Sequence, residues 1–131
     1  MKIFKQTLIL IAIVFAAINC SAQKSENFTS FWKSFTNDSV FQKERIVFPL
    51  TLTYFDYDEN DEDLTEVLGN IPASDWQYDN FIDEEAKITI NKQEDFYTVV
   101  RAGIENGIYV EYTFKLNDNK WYLVKIADSS N

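Results

Sequence analysis

Residues 96–126, FYTVVRAGIENGIYVEYTFKLNDNKWYLVKI, contain three runs that are rich in β-branched and aromatic residues, at 96–104, 108–116 and 121–126. Asn106-Gly107 separates the first two runs, and this pair favours the type I′ turn of a β-hairpin. Asn117-Asp118-Asn119 separates the second run from the third. The stretch therefore predicts a C-terminal three-strand antiparallel meander.

The residues at the start of the mature chain predict helices instead. Phe28, Phe31, Trp32 and Phe35 recur at the spacing of one face of an amphipathic helix, with Ser25 or Asn27 as its N-cap. A capping box formed by Ser39 and Gln42 predicts a second short helix over residues 39–45, which would pack Val40 and Phe41.

The middle of the chain is less regular. Residues 46–57 predict a strand that Pro49 places at a sheet edge or a bulge. Residues 64–68 predict one helical turn closed by Gly69-Asn70, and residues 76–81 predict a weak strand. The sequence does not decide the secondary structure of residues 86–90. Because helices precede strands, the predicted fold class is α+β, with N-terminal helices packed on a curved antiparallel sheet.

Residues 1–22 have the pattern of a bacterial signal peptide, which leaves residues 23–131 as a single α+β domain. Lys2 and Lys5 precede an apolar run at 8–18 that is too short to span a bilayer as a mature helix. Two cleavage sites are compatible with the sequence. In one, Cys20 becomes the acylated first residue of a periplasmic or outer-membrane lipoprotein; in the other, cleavage before Gln23 releases a secreted chain.

Composition excludes several partners. The formal net charge is −9, and removal of Lys2 and Lys5 would take it to about −11. Nucleic acid is excluded because binding it needs clustered lysine and arginine, so the only predicted membrane contact is a lipid on Cys20. The mature chain has no disulfide, so aromatic residues, of which the full chain has 11 Phe, 7 Tyr and 3 Trp, must supply the core.

The chain has no histidine, which excludes histidine-based triads and histidine metal sites. We therefore expect no cofactor and no metal centre of the ordinary zinc type. The chemistry that remains is a carboxylate base with a tyrosine proton donor in a dry pocket. Nothing local in the sequence identifies such a pair, so an enzyme is the less favoured interpretation.

The acidic run at 56–63 invites comparison with a calcium loop. Asp56, Asp58 and Asn60 match the first three EF-hand ligand positions. The match then fails, because Asp61 replaces the glycine of the turn and Val67 replaces the bidentate glutamate. A solvated acidic loop is the preferred prediction, with a calcium loop of another kind as the alternative.

A small-molecule pocket is the other site that the predicted strands allow. It would be lined by Tyr54, Tyr97, Arg101 and Tyr112. A buried tyrosine in the core is the alternative for Tyr112, whose hydroxyl would need a partner. Arg101 would either form an ion pair with Glu111 across the hairpin or bind the carboxylate of a ligand.

The pattern Phe28-x-x-Phe31-x-x-x-Phe35-x-x-Asp38-x-x-Phe41-Gln42-x-x-Arg45-Ile46-x-Phe48-Pro49-Leu50, with Trp76 and a C-terminal Trp121-Tyr122-Leu123-Val124-Lys125-Ile126, resembles a family of small exported Bacteroidetes proteins, a domain of unknown function. The resemblance implies a nuclear-transport-factor-2-like, cystatin-like cone of helices on a curved sheet. It implies no activity, since this fold hosts enzymes and plain binding modules.

These observations favour an exported, lipid-anchored envelope domain that acts as a non-enzymatic binding or interaction module for a protein or small molecule. The first alternative is a small-molecule pocket protein or isomerase-like enzyme that uses carboxylate and tyrosine groups. The second is a calcium-binding acidic loop. A cone filled with phenylalanine side chains would favour the binding module, and a deep apolar cavity would favour the pocket.

Overall fold

The computed structural model describes residues 24–57, 59–60 and 63–131; the predicted signal peptide and Cys20 lie outside them. Two helices come first, α1 (Phe28–Asn37) and α2 (Ser39–Glu44). Six strands follow: β1 (Ile46–Tyr57), β2 (Leu64–Ile71), β3 (Ala86–Lys92), β4 (Phe96–Gly103), β5 (Tyr109–Asn117) and β6 (Lys120–Asp128). A 3-10 turn (Ala73–Asp75) stands between β2 and β3. The predicted α+β class is confirmed.

Helix α1 forms where the aromatic spacing predicts it. The Asn27 side chain accepts a hydrogen bond from the Ser30 N–H at 3.0 Å and caps the helix, as one of the two predictions had it. The stripe faces the sheet, since Phe28, Phe31 and Phe35 are buried. Burial of this face is the main source of stability for a helix of only ten residues.

Helix α2 is also present, but its cap differs from the prediction. Asp38, and not Ser39, caps the helix by accepting hydrogen bonds from the N–H groups of Val40 and Phe41. Gln42 consequently plays no part in a capping box and is completely buried. The predicted packing of Val40 is wrong, because it is 66% exposed, whereas Phe41 packs against the core.

The strands form one sheet in the order β2-β1-β6-β5-β4-β3. The C-terminal meander is confirmed, because β4, β5 and β6 pair as successive antiparallel neighbours. The prediction of a purely antiparallel sheet is wrong: β1 runs parallel to β6, so the sheet is mixed.

Pro49 lies in an interior strand, since β1 stands between β2 and β6. Proline has no N–H to donate to a sheet ladder, so an interior strand accepts it only at an irregularity. The register between β1 and β6 shifts between Ile46 and Thr51, which places Pro49 at a bulge. The bulge alternative is therefore confirmed, and Pro49 also lies just beyond Leu50, the last residue of β1 that pairs with β2.

Two elements of the middle region differ from the prediction. Residues 64–68 belong to strand β2, which pairs with β1 from Tyr57↔Leu64 to Leu50↔Ile71, and Gly69 and Asn70 lie within it. Residues 76–81 form no strand but a connection held by side-chain hydrogen bonds. The segment at 86–90, which the sequence left open, is part of β3.

The type I′ turn occurs at the second hairpin of the meander and not at the first, where it was predicted. Asp118 and Asn119 both have positive φ, 51° and 62°, between the paired residues Asn117 and Lys120, which is the type I′ arrangement. At the other hairpin the Gly103 N–H donates to the Ile108 carbonyl at 2.7 Å, so the loop is longer than the predicted two-residue turn.

The core lies between the helices and one face of the sheet. Phe35, Leu50, Val99, Phe114 and Leu123 have no exposed surface. The rings of α1 meet Phe114 edge to face, with centroid distances from 5.3 to 5.8 Å. Aromatic pairs in this geometry add to the free energy gained by burial. No helix among the described residues is long and apolar enough to cross a membrane.

Candidate functional site

Of the four residues predicted to line a pocket, the structure brings two together. Arg101 on β4 and Tyr112 on β5 project from the same face of the sheet, because Arg101 pairs with Val110 and Val99 pairs with Tyr112. The guanidinium carbon lies 5.8 Å from the centre of the Tyr112 ring. This pair forms the centre of the candidate site.

Tyr97 and Tyr54 have other neighbours. Tyr97 stacks on Phe28 with 3.9 Å between ring centres, and it meets Trp121 edge to face. It thereby fixes the start of α1 to the sheet. Tyr54 on β1 lies opposite Val67 and packs over Gly69, where a Cβ atom would lie 3.6 Å from its ring.

Arg101 has a carboxylate partner within the chain. Its Nη2 donates to an Asp79 carboxylate oxygen at 2.8 Å, and the guanidinium also lies 5.0 Å from the centre of the Phe81 ring. The predicted ion pair with Glu111 is wrong, because Glu111 lies opposite Val100 and so projects from the other face. The Arg101 Nε atom is buried and has no hydrogen-bond partner among the described residues.

Asp79 is held in place by Gln42, whose role the sequence did not suggest. The Gln42 amide nitrogen donates to the carbonyls of Phe35 and Asp79 at 2.8 and 2.7 Å. Its amide oxygen accepts from the Trp76 indole at 3.2 Å and from the Asp79 N–H at 3.1 Å. The hydrogen bonds of this one buried side chain thus take the place of the backbone hydrogen bonds that a strand over residues 76–81 would have made.

Both oxygens of the Asp79 carboxylate are occupied. One accepts the Arg101 hydrogen bond, and the other accepts from the Phe81 N–H at 2.8 Å. Phe81 is buried with a φ of 58°, a conformation that is uncommon for a bulky residue. The carboxylate therefore orders the backbone beside it while it neutralises Arg101.

Tyr112 does not supply a readily ionised proton donor. Burial raises the pKa of its hydroxyl to about 12; the Arg101 charge opposes this rise, and Asp79 and Asp128 add to it. The phenol therefore stays protonated at neutral pH. Together with the neutralised Arg101–Asp79 pair, this arrangement resembles a packed polar cluster more than an acid–base centre.

A second ion pair ties the N-terminal segment to the sheet. Arg45 donates to both Glu26 carboxylate oxygens at 2.7 and 3.1 Å, and the Trp121 N–H donates to the same carboxylate at 3.0 Å. Burial alone would raise the pKa of Glu26. The hydrogen bonds from Arg45 and Trp121 and the charges of Arg45 and Lys120 outweigh burial and hold that pKa below 4.5.

Two depressions of the described surface lie away from the Arg101–Tyr112 pair. One of about 450 Å³ adjoins Tyr97, Phe96 and Trp121. Another of about 420 Å³ adjoins Val40, Trp76 and Tyr78. No group of three or more acidic or cysteine side chains is placed to hold a metal ion in the part of the chain that the structure describes.

Comparison with known proteins identifies a family and a fold. The profile of DUF4348, a domain of unknown function, matches residues 2–128. A crystal structure of an NTF2-like protein from Bacteroides fragilis NCTC 9343 superposes with a TM-score of 0.59 and 22% identity, over 85% of this chain and 50% of that one. This chain thus spans half the length of that protein.

An NMR structure of a protein from Bacteroides uniformis ATCC 8492 has a TM-score of 0.53 and 22% identity, over 81% of this chain and 78% of that one. No curated protein matches the sequence significantly. The resemblance drawn from the aromatic pattern is confirmed, and the helices and six-strand mixed sheet have the NTF2-like fold. At these identities the structural likeness concerns the fold alone.

Proposed function

The chain belongs to the DUF4348 family of domains of unknown function, and we propose that it is an exported, non-enzymatic binding module attached to the cell envelope through a lipid on Cys20. The observation that carries the proposal is the filled interior between helices and sheet. Aromatic rings occupy the space in which an NTF2-like enzyme or small-molecule binder would hold its ligand.

The residues around this interior support the same proposal. Phe31, Phe35 and Phe114 are at most 1% exposed and contact one another, so the interior leaves little room for a ligand. Arg101 is paired with Asp79, and burial raises the pKa of Tyr112 to about 12, which makes its phenol a weaker acid than an ordinary tyrosine. A pocket enzyme with a carboxylate base and a tyrosine donor is thus the weaker proposal.

Export is supported by the sequence of residues 1–22. A positive start, a short apolar run and Cys20 are the features of a lipoprotein signal. The polar segment from Ser21 to Ser25 would then connect the lipid to Glu26, the first residue tied firmly to the sheet. Release as a secreted chain that starts at Gln23 is the alternative.

Intact mass spectrometry of the protein from its native host tests the anchor. A chain that begins at Cys20 and carries a diacylglyceryl adduct is the expected result, and Cys20→Ser should abolish the adduct. A mature chain that begins at Gln23 would show that the anchor is wrong, whatever the interior binds.

Amide NMR with a library of small aromatic and carboxylate compounds tests the filled interior. We expect no saturable shifts at Val99, Tyr112 or Phe114, because these residues face a space that the protein already fills. Saturable shifts confined to these residues would instead favour the small-molecule pocket and contradict the non-enzymatic module.

A further inference from the structure

Strand β2 is an open edge of the sheet. It pairs with β1 on one side, and no strand of the described residues pairs with its other side. The outer side of such a strand presents unpaired N–H and C=O groups, which is the surface that an added strand requires. Eight residues, Leu64–Ile71, are long enough to pair with an extended segment.

An exposed apolar row borders this edge. Tyr57 lies opposite Leu64, and Phe55 and Leu68 project from the same face of the β1–β2 hairpin. Their exposed fractions are 66% for Tyr57, 50% for Leu64, 45% for Phe55 and 75% for Leu68. We name these four residues the hairpin patch. Glu66, opposite Phe55, lies on the same face between Leu64 and Leu68, so the patch is apolar with one acidic residue inside it. An exposed group of apolar residues of this kind marks an interaction surface.

The opposite edge of the sheet is protected, and β2 is not. Strand β3 has Lys87 and Lys92 near its two ends, and edge lysines discourage pairing with other chains. The sequence of β2, LTEVLGNI, contains neither lysine nor proline, and Glu66 is its only charge. The contrast within one sheet singles out β2 as the edge that is available for pairing.

The charge around β2 indicates what kind of segment would pair with it. Residues 46–86 contain no lysine or arginine, and the connection between β1 and β2 is rich in aspartate and glutamate. A second copy of this chain would bring the same negative charge to the interface, at a net charge of −9. A partner with positive charge would be attracted to it.

We propose that β2 binds an extended segment of a partner polypeptide by strand addition, and that this segment alternates apolar residues with polar ones and carries lysine or arginine at its ends. The inference rests on the proposed function, since it names the surface through which the binding module works. Backbone hydrogen bonds to β2 would give affinity, and the hairpin patch would take the apolar side chains. The exposed Asp56, Asp63 and Glu66 would attract the basic residues.

Two peptides test this proposal on the isotope-labelled mature protein. The first has the sequence KKVTVTVTKK and the second EEVTVTVTEE, so they differ only in their terminal charges. We expect the basic peptide to shift the amides of Leu64–Ile71 and slow their hydrogen exchange, with an affinity at least about tenfold higher than that of the acidic peptide. Added salt should reduce this difference.

Matched variants distinguish binding at the β2 edge from non-specific binding to exposed apolar side chains. Leu68→Ser should weaken binding of the basic peptide by about tenfold, because it removes the most exposed member of the hairpin patch. Ile82→Ser, which alters a side chain of similar exposure outside the sheet, and Ile90→Ser on β3 should leave binding unchanged.

Three results would overturn the inference. They are peptide-induced shifts at β3 instead of β2, equal binding by the Leu68→Ser variant, and dimers in sedimentation whose β2 amides are protected without peptide. Absence of binding while Val99 and Tyr112 remain silent to small compounds would also overturn it, yet leave the proposed module intact. Shifts of those interior amides would contradict the proposed function itself.

Discussion

At the residue scale, buried polar side chains hold in place the segments that lack regular secondary structure. Gln42 is the clearest case, because each of its two amide atoms serves two partners. A buried amide is favourable only when its donors and acceptors are satisfied. Gln42 meets this condition by joining helix α2 to a connection 37 residues later in the chain.

Gln42→Leu tests this role. The replacement leaves the Trp76 indole, the Asp79 N–H and two carbonyls without partners, so we expect the free energy of unfolding to fall by about 2–4 kcal/mol. Denaturant titration measures the loss. Gln77→Leu, at an exposed position in the same connection, should change stability by less than about 0.5 kcal/mol. Equal losses in the two variants would contradict the assignment.

Glu26 predicts a pH dependence. Its folded-state pKa lies below 4.5, so the unfolded chain binds the proton more readily. Its contribution to stability is therefore complete above about pH 4.5 and is lost as the pH falls through the folded-state pKa. Unfolding of the Glu26→Gln variant, measured by denaturant at several acidic pH values, should show a shallower pH dependence than the parent.

The exposed Glu94→Gln variant is the control for Glu26. Below about pH 4.5, its free energy of unfolding should change with pH as steeply as that of the parent protein. If Glu26→Gln and Glu94→Gln gave the same slope, the Arg45–Glu26 pair would not be a source of acid sensitivity.

At the scale of elements, the periodicity of the sequence predicted the helices and strands whose formation depends on nearby residues. Helix α1 and the three C-terminal strands have strong periodicity, and the structure contains all four. Strand β2 was missed because Gly69-Asn70 is typical of a turn, whereas the pairing of Leu52 with Gly69 is set by strand β1. Long-range pairing overrides such local preferences.

The candidate site shows the same limit. The sequence named Arg101 and Tyr112 in one predicted pocket lining, and the structure places both on the same face of two adjacent strands. The sequence could not supply Asp79, because the connection at residues 76–81 has no period and is positioned by Gln42. The partner of Arg101 thus depends on a contact across 22 residues that no local pattern records.

The connection between β1 and β2 carries a prediction about calcium. The EF-hand pattern lacks its turn glycine and its bidentate glutamate, so we expect the acidic residues to be solvated. Millimolar calcium should therefore leave the melting temperature unchanged, because an ion that binds the folded state would raise the melting temperature. A rise with calcium that is absent with magnesium would establish a site and contradict this expectation.

At the scale of the whole molecule, the two ends of the domain close on each other. The parallel pairing of β1 with β6 places the last strand at the centre of the sheet, and the Leu123 N–H donates to the Arg45 carbonyl at 2.8 Å. Glu26 adds a contact from the N-terminal segment to Trp121. The helices are therefore fixed over the sheet from both sides, which keeps their aromatic side chains in the interior.

Phe114 tests whether this interior is filled or is a pocket. It meets Phe28, Phe31, Trp32 and Phe35, so Phe114→Ala should lower the free energy of unfolding by about 3–5 kcal/mol and leave an apolar cavity. Benzene should then raise the melting temperature of the variant, as it does for dry engineered cavities, and have no effect on the parent.

Two further variants complete the test of the interior. Phe114→Leu provides a milder version of the cavity if the alanine variant does not fold, and Phe55→Ala on the exposed hairpin patch is the control that benzene should not stabilise. Stabilisation of the parent protein by benzene would mean that the interior already has room for a ligand. That result would favour the small-molecule pocket, whereas stabilisation confined to the Phe114 variants supports a domain that binds its partners on its outer surface.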